Sequence, residues 1–322
     1  MPVYDKYMLA KKAHELGFVR DAFEKMSRLI EILGFLNTEP ELSSQLAIKG
    51  GTAINLTVFN LPRLSVDIDL DFTENLTKAE TKDRRERINE LFGRHMTAEG
   101  YSVSHKSKHS YALDSFVYSY KNAAGNSDNI KMEINYMLRC HALPPVETTT
   151  RVSEAFAVSA IRTLAPVEIF ASKIVALLNR AAARDLYDVF NMVDSGIFNE
   201  SDLILLRKCS VLYLALAGDI ESCKPNLNKM SEMTERTIRT DLYPMIRTTG
   251  RFDFTEAKAR VSAFLTKLFV LTEKETGFLL RFSKGYYEPQ LLFENAEIVD
   301  RVRNHPMAAW RTQRIKEKQQ ER

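Results

Sequence analysis

The sequence contains few cysteines, three in 322 residues, together with one tryptophan, 12 glycines and 10 prolines. Cys140, Cys209 and Cys223 are far apart and odd in number, which indicates reduced thiols and not a disulfide framework or a zinc site. The low glycine and proline counts exclude collagen-like and low-complexity chains. No stretch approaches the roughly 18 uncharged apolar residues that a membrane-spanning helix needs, so no membrane association is expected.

The chain also lacks an excess of charge of one sign, because 45 Lys and Arg oppose 42 Asp and Glu, giving a net charge of +3. Hydrophobic residues make up 45% of the chain, which supplies a sizeable core and excludes global disorder. The N-terminal segment mixes Asp5, Lys6, Lys11 and Lys12 with its apolar residues, so it lacks the apolar core of a secretion signal. We therefore expect a globular cytoplasmic protein.

Apolar spacing changes character along the chain. It predicts helix over residues 5–36, broken near Gly17, a charged helix over 78–98 and a hairpin over 111–138. After Pro166 the strand signals nearly vanish and helical patterns continue to the C-terminus. The pattern predicts an α+β fold with two domains, residues 1–155 and 156–322.

A carboxylate-bearing strand is predicted over residues 65–72, where four apolar residues alternate with Asp67, Asp69 and Asp71. Two carboxylates at positions i and i+2 of a strand lie side by side, as two divalent cations about 3.5–4 Å apart require. A third carboxylate would complete such a site. Glu133, on the polar face of the second hairpin strand, is our choice, and Asp71 is the local alternative.

A glycine turn precedes this strand. Residues 46–48 read as a short strand, Gly50 and Gly51 as a turn, and residues 53–59 as a helix. Glycine lets the backbone approach a ligand closely, and the amides at a helix N-terminus bind phosphate. Thr52 adds a hydroxyl, either as helix cap or as phosphate ligand. Arg63 and Ser65, beside the carboxylate strand, either contact phosphate or order the loop.

Two runs carry a family resemblance. The run IKGGTAINLTVFNLPRLSVDIDLDF, residues 48–72, resembles the signature of the AbiEii/AbiGii toxin family, a branch of the DNA polymerase β-like nucleotidyltransferase superfamily. The run APVEIFASKIVALLNRAAARDLYDVF, residues 165–190, resembles the downstream helical motif of that family and includes Lys173 and Asp185. The resemblance spans most of the chain, is specific over residues 46–72 and 164–191, and is thin between residues 200 and 285.

The resemblance implies a polymerase β-like catalytic domain with a mixed sheet, followed by a helical domain that completes the active-site cleft. It implies transfer of a nucleoside monophosphate from an NTP to an acceptor, in some members the 3′ end of tRNA. Two Mg²⁺ ions, with Mn²⁺ as the alternative, and a cognate antitoxin are implied as well. Carried onto this sequence, the resemblance assigns the triphosphate to Gly50, Gly51 and Thr52, the metals to Asp67 and Asp69, and later essential positions to Lys173 and Asp185.

The helical motif supports a phosphate-binding surface on independent grounds. Offsets of 0, 7 and 11 residues bring Lys173, Arg180 and Arg184 within about 40° of one another on a single helix, which predicts a basic stripe. Lys173 lies among apolar residues, where an unpaired ammonium is costly. Its partner would be the triphosphate; the alternative is that the basic residues form ion pairs within the helix, such as Arg184 with Asp188.

The predicted function is a toxin-type nucleotidyltransferase that modifies RNA, with the 3′ end of tRNA as acceptor, and so blocks translation and growth in a toxin-antitoxin or phage-defence system. Two alternatives remain open at this stage. One is the same chemistry on a protein or small-molecule acceptor. The other is an inactive module that binds nucleotide or RNA, which the intact glycine turn and Asp-x-Asp pair disfavour.

Overall fold

The computed structural model describes residues 5–150, 160–217, 225–248, 250 and 252–320. The chain divides into two compact units. Unit 1 comprises Met1–Arg139, Pro145–Leu164 and Tyr243–Gly250; unit 2 comprises Cys140–Pro144, Ala165–Leu242 and Arg251–Arg322. The predicted boundary between residues 155 and 156 and the predicted thiol at Cys223 lie outside the described residues, so both stay predictions.

The strands of unit 1 form a single mixed sheet within the described residues. They are β1 (Leu46–Ile48), β2 (Asp67–Phe72), β3 (Ser102–Val103), β4 (Lys108–His109), β5 (Leu113–Lys121), β6 (Ser127–Asn135), β7 (Val146–Thr148) and β8 (Ile161–Thr163). Their order is β3-β5-β6-β2-β1-β8-β7, and β4 also pairs with β5. Strand β2 lies in the middle, antiparallel to β1 and parallel to β6.

Alternation of side chains explains the two faces of β2. Ile68, Leu70 and Phe72 are fully buried, because they point to the face that packs against the core of unit 1. Asp67 and Asp69 point to the other face and are partly exposed. The predicted alternating strand is confirmed, although it begins at Asp67 and not at residue 65.

The helices of unit 1 are α1 (Lys6–Leu16), α2 (Arg20–Thr38), α3 (Pro40–Ser43), α4 (Gly50–Ala53) and α5 (Lys78–Ala98). The predicted break is confirmed at Gly17, whose φ of 76° caps α1 in the left-handed region. Thr77 and Glu80 form a capping box that fixes the start of α5. The helix predicted over residues 53–59 starts earlier, at Gly50, and ends in a π-helical turn over Ile54–Val58.

The regular elements in the described part of unit 2 are helices, as predicted after Pro166. They are α6 (Pro166–Arg180), α7 (Ala183–Ser195), α8 (Glu200–Ala217), α9 (Asn228–Ser231), α10 (Glu235–Asp241), α11 (Phe254–Leu268), α12 (Glu273–Ser283), α13 (Ala296–Arg303), α14 (Pro306–Gln320) and a 3₁₀ turn over Pro289–Leu291. No helix among the described residues is long and apolar enough to cross a membrane.

Candidate active site

The glycine turn follows β1 and lies directly against the carboxylate strand. Lys49 N donates to Asp69 O at 2.9 Å, so the turn starts from the ladder between β1 and β2. Gly50 has a φ of 67°, and a Cβ added there would lie 2.5 Å from Asp69 Oδ2. A Cβ at Gly51 would lie 3.0 Å from Ser65 Oγ and would also collide with the Arg63 guanidinium. Both positions therefore need glycine.

Buried side chains fix the conformation of this turn through hydrogen bonds. Thr52 Oγ1 donates to Asp67 O at 2.5 Å and lies 3.0 Å from Ser65 Oγ. Asn55 Nδ2 donates to Gly51 O at 2.7 Å, and Arg63 N donates to Asn55 Oδ1 at 3.3 Å. These hydrogen bonds join the turn to the start of β2.

Three of the predicted phosphate-site residues are among these buried groups. Thr52 is 0% exposed, Arg63 2% and Ser65 5%. Arg63 Nη1 donates to Leu64 O at 2.8 Å. Of the two roles considered for Arg63 and Ser65, this burial favours ordering of the loop.

The parallel pairing of β2 and β6 brings further charged residues onto one face. Asp67 is in register with Lys131, Asp69 with Glu133 and Asp71 with Asn135. Residues in register on parallel strands point to the same side of the sheet. We call this surface the carboxylate face; its charged members are Lys49, Asp67, Asp69, Asp71, Lys131 and Glu133.

Asp71 differs from the two aspartates that precede it, because it is buried and forms an ion pair with Lys49 Nζ. Burial raises the pKa of Asp71 to about 6; the Lys49 ammonium opposes this shift and the Asp69 carboxylate adds to it. The sequence predicted a polar face carrying Asp67, Asp69 and Asp71; Asp71 differs from this prediction, because it is buried and paired with Lys49.

Glu133 lies beside Asp69 in register, as its choice as third carboxylate requires. Its Oε1 is 2.8 Å from Lys131 Nζ, and both side chains are partly exposed. Sequence reasoning missed Lys131 and Lys49 as members of this face. The i, i+2 spacing of Lys131 and Glu133 on a strand was the signal for the first of them.

The carboxylate face has the right chemistry for a divalent cation. Asp67 and Asp69 offer oxygen donors of the kind that Mg²⁺ and Mn²⁺ prefer, on one side of one strand. No group of three or more His, Cys, Asp or Glu side chains converges as a metal cage within the described residues. The third protein ligand therefore stays a prediction.

Lys173 and Asp185 lie in unit 2 and contact each other. Lys173 Nζ is 3.0 Å from Asp185 Oδ1 and 3.2 Å from Asp188 Oδ2. Arg180 Nε is 2.7 Å from Asp185 Oδ2. We call these four residues the Lys173 cluster. Its lysine and both aspartates are buried, whereas Arg180 is exposed.

The predicted basic stripe is wrong for Arg184, because residues 173–184 do not form one helix; Lys173 and Arg180 both lie on α6. Helix α6 ends at Arg180, and Ala181 has a φ of 48° in the left-handed region. Helix α7 starts at Ala183, so helical spacing does not relate Arg184 to Lys173. The sequence Ala-Ala-Ala over 181–183 contains no glycine or proline to announce the break.

The charges in the Lys173 cluster stabilise one another. Burial alone would raise the pKa of Asp185, but the Lys173 ammonium and the Arg180 guanidinium outweigh it and lower the pKa to about 2. Lys173 thus forms internal ion pairs with Asp185 and Asp188. Internal ion pairing was the alternative to a triphosphate as the partner of this ammonium.

Comparison with known proteins agrees with this architecture. Residues 34–276 match the family described as the nucleotidyl transferase AbiEii toxin of type IV toxin-antitoxin systems. Among solved structures, the chain is similar to MenT4, a nucleotidyltransferase toxin from Mycobacterium tuberculosis H37Rv. The two are 17% identical with a TM-score of 0.63, over 86% of this chain and 93% of that chain. A search of the curated proteins finds no match.

At 17% identity the likeness to MenT4 shows the fold alone. The predicted fold class, a mixed sheet followed by a helical C-terminal region, is confirmed. The family match covers both of the runs on which the resemblance rested, residues 48–72 and 165–190.

Proposed function

The chain belongs to the AbiEii family of nucleotidyltransferase toxins of type IV toxin-antitoxin systems, and from this premise we propose that it transfers a nucleoside monophosphate from an NTP to RNA. The acceptor in this proposal is the 3′ end of a tRNA. One observation carries it: the Asp69 carboxylate lies against Gly50, at a turn that has no room for a side chain. A phosphate held by the main chain of this turn would lie beside the carboxylates of β2.

The proposed reaction is an in-line displacement at the α-phosphorus of the NTP. The terminal ribose hydroxyl oxygen of the acceptor forms a bond to the α-phosphorus, and the bond between this phosphorus and the oxygen bridging to the β-phosphate breaks. Pyrophosphate leaves with the electron pair of that bond. The hydroxyl proton passes to a carboxylate of the carboxylate face, with Glu133 or one of the β2 aspartates as the acceptor.

Asp67, Asp69 and Glu133 are the residues that would hold the metal ions, Mg²⁺ or Mn²⁺. Such ions supply charge neutralisation of the phosphates and acidify the attacking hydroxyl. The contribution of the protein is the fixed geometry of β2, because the i, i+2 spacing holds Asp67 and Asp69 on one side of the sheet. Lys131 would compete with a cation for Glu133 through its 2.8 Å ion pair.

Nucleotide binding is proposed at the glycine turn. The main chain of Gly50 and Gly51 would contact the triphosphate, since their missing side chains leave the approach open. Thr52, Arg63 and Ser65 belong to the same nucleotide site, and their burial supports an indirect role: they hold the turn through the hydrogen bonds to Asp67 O, Leu64 O and one another.

Lys173 and Asp185 are proposed as functional positions within unit 2. Their mutual ion pair at 3.0 Å supports a pair that acts together, and for Lys173 the proposal adds a contact to the triphosphate. A contact to the triphosphate and a purely structural role of Lys173 predict different outcomes for a charge-neutral double variant.

The biological part of the proposal follows from the family. A type IV toxin-antitoxin system implies a cognate antitoxin as partner, an NTP as substrate and growth arrest as the outcome, here through tRNA that no longer serves translation. We place this activity in the cytoplasm, where NTP and tRNA are available. Exposed cations such as Lys106 and Lys108 support an RNA acceptor, because they can contact a phosphate backbone.

The test is direct labelling of RNA. Purified protein is incubated with Mg²⁺, total cellular RNA and each of the four α-labelled NTPs in turn. Label in a tRNA-sized band that Asp69→Ala loses, and that the exposed-carboxylate control Asp83→Ala retains, is the expected result. Label on protein or on a small molecule would replace RNA as acceptor. Absence of any transfer with Mg²⁺ or Mn²⁺, while NTP still binds, would contradict the enzyme assignment.

A further inference from the structure

Apart from the candidate active site, unit 1 contains a pocket with a cavity volume of about 560 Å³. It is formed by the first turns of α5 and by the residues that flank β5 and β6. Four cationic and two aromatic side chains in its lining carry the argument: Lys78, Lys82, Arg85, Arg139, Tyr111 and Tyr136. None of the described side chains that line it is a carboxylate. Its volume is typical of sites that bind a nucleotide-sized ligand.

This pocket is separate from the candidate active site. The ring centroid of Tyr136 is 5.6 Å from that of Phe72, so Tyr136 lies on the apolar side of β2. Asp67 and Asp69 point to the opposite side of the sheet. Phe72 is three residues beyond Asp69, roughly 10 Å along the strand. A ligand of the pocket is therefore not the nucleotide at the glycine turn, but a longer molecule could reach both.

The two arginines of the pocket are held in different ways. Arg85 is paired with Asp114, with Nε 2.7 Å from Oδ2. Arg139 instead donates to two main-chain oxygens, Tyr136 O at 2.9 Å and Leu76 O at 3.2 Å. Its Nε is buried and has no hydrogen-bond partner in the described part of the chain. Carboxylates therefore neutralise the cations of the pocket only in part.

The two lysines of the pocket lie in the first turns of α5, and both are exposed. Lys82 Nζ is 3.6 Å from Glu86 Oε1, in an exposed pair that solvent screens. Lys78 lies beside an aromatic ring, with Nζ 5.6 Å from the ring centroid of Tyr111. The excess of positive charge around an apolar cavity favours an anion as ligand.

The two tyrosines favour an anion that carries a planar ring. Tyr111 is 62% exposed, so its ring is accessible. The Tyr136 hydroxyl is buried, and no residue that the structure describes forms a hydrogen bond with it. Burial raises the pKa of Tyr136, with a smaller contribution from the Asp114 carboxylate, so its hydroxyl stays protonated and able to donate. An exposed ring stacks on a base, and a buried hydroxyl can bind the edge of that base.

We propose that this pocket binds an unpaired nucleotide of the acceptor RNA, with the base against Tyr111 and its phosphates near Lys78 and Lys82. This inference rests on the proposed function, because that proposal names RNA as the acceptor. A strand is favoured over a free nucleotide because exposed cations continue beyond the pocket at Lys106 and Lys108. That segment adjoins the pocket, since Arg85 donates to Ser110 O at 2.7 Å.

The test compares two double variants, each of which removes one lysine and one tyrosine side chain. Lys78→Ala with Tyr111→Ala empties the pocket rim, and both side chains are exposed, so folding is preserved. Tyr7→Ala with Lys11→Ala is the matched control, because it removes one exposed tyrosine and one exposed lysine from α1. Binding of a fluorescent, unstructured RNA of about 12 nucleotides is measured by anisotropy in EDTA, without NTP, so that catalysis is not needed.

We expect the Kd for this RNA to rise about tenfold or more in the pocket variant and less than about twofold in the control. The slope of log Kd against log salt should fall by about one in the pocket variant, because Lys78 no longer neutralises a phosphate of the RNA. In the labelling assay the pocket variant should show a raised KM for RNA, with KM for NTP and kcat unchanged.

The outcomes separate this inference from the proposed function. Equal Kd values for the pocket variant and the control would overturn the assignment of the pocket as an RNA site, even if wild-type protein labels RNA. Weaker binding of AMP by the pocket variant, with RNA binding unchanged, overturns RNA in favour of a free nucleotide. If wild-type protein labels no RNA, the proposed function fails, and an unchanged Kd for the oligonucleotide then overturns the pocket as well.

Discussion

The carboxylate face of unit 1 and the Lys173 cluster of unit 2 both combine acidic with basic residues but differ in charge balance. The carboxylate face has four acids, Asp67, Asp69, Asp71 and Glu133, against Lys49 and Lys131, a balance of 2 − 4 = −2. The Lys173 cluster has two acids, Asp185 and Asp188, against Lys173 and Arg180, a balance of 2 − 2 = 0.

Exposure differs in the same sense. Asp67, Asp69, Lys131 and Glu133 are partly exposed, whereas Lys173, Asp185 and Asp188 are 8%, 1% and 0% exposed at their side chains. A negative excess that solvent reaches attracts cations, and metal ions are the strongest such ligands. In the Lys173 cluster, by contrast, the two buried carboxylates are neutralised by the buried Lys173 and the exposed Arg180. Charge balance and exposure together therefore favour cation binding at the carboxylate face, whereas at the Lys173 cluster the proposed role in function has to be separated from a role in stability.

Replacing Asp69 gives the largest expected effect. Asp69→Asn removes a carboxylate from the carboxylate face without changing its shape, so nucleotidyl transfer should fall about 10³-fold. Stability should be unchanged or slightly raised, because like charges repel. Single-turnover transfer and urea unfolding are measured together, with Asp83→Asn as the exposed control. Transfer within a few-fold of wild type would contradict the role of Asp69.

Replacing Lys173 should mainly cost stability. Lys173→Met leaves the buried Asp185 and Asp188 without the ammonium that they share, and removing one partner of a buried ion pair typically costs about 3–5 kcal/mol. Urea unfolding measures the loss. A variant less than about 1 kcal/mol below wild type would show that this cluster is not held by Lys173.

A double variant separates structure from function at Lys173. Lys173→Met with Asp188→Asn restores the charge balance, so most of the stability should return. If Lys173 also contacts the triphosphate, KM for NTP stays raised in this double variant. Full recovery of both stability and KM would limit Lys173 to a structural role.

The outline of the fold could be predicted because it depends on local pattern. Alternation over Asp67 to Phe72 and over the arms of the hairpin fixed which residues are buried, and helical spacing located α1, α2 and α5. The likeness to MenT4 agrees with the fold class. Strands β3, β4, β7 and β8 were missed, because two or three residues are too few to show a period of two.

The candidate site was predictable only in part, for reasons of pairing and burial. The register that places Lys131 beside Asp67 and Glu133 beside Asp69 depends on strand pairing, which no single-strand pattern encodes. The burial of Thr52, Arg63 and Asp71 depends on what the rest of unit 1 packs over them. The break at Ala181 separates two helices through a left-handed alanine, a conformation that sequence rarely announces.

Two buried acids of unit 2 show how neighbouring cations change the pKa of a carboxyl group. Asp185, beside Lys173 and Arg180, has a pKa lowered to about 2. Burial raises the pKa of Glu168 to about 7, although it accepts hydrogen bonds from Ala142 N and Leu143 N. The folded chain therefore binds the Glu168 proton more tightly than the unfolded chain does. Its stabilising contribution is complete below about pH 4.5 and is lost as the pH rises to about 7.

Glu168→Gln should remove this pH dependence. Between pH 5 and pH 8 wild-type protein should lose about 2 kcal/mol more of its unfolding free energy than the variant does. Urea unfolding at several pH values in this range gives the difference. Asp185 is the opposite case, because the stabilising effect of its carboxylate is lost only as the pH falls from about 4 towards 2. Asp185→Asn should therefore change the pH dependence in that range. Parallel curves for wild type and Glu168→Gln would contradict the assignment.

The smallest expected effect tests the charge balance of the carboxylate face itself. Lys131→Met breaks an exposed ion pair worth less than about 1 kcal/mol, so stability should hardly change. It shifts the balance of the face from −2 to −3 and releases Glu133 to bind a cation. The Mg²⁺ concentration that gives half-maximal transfer should therefore fall about three- to tenfold. Lys121→Met is the control, since Lys121 lies at the far end of β5 opposite Ser127. If Lys131→Met raises this concentration, then Lys131 binds substrate phosphate and does not restrain Glu133.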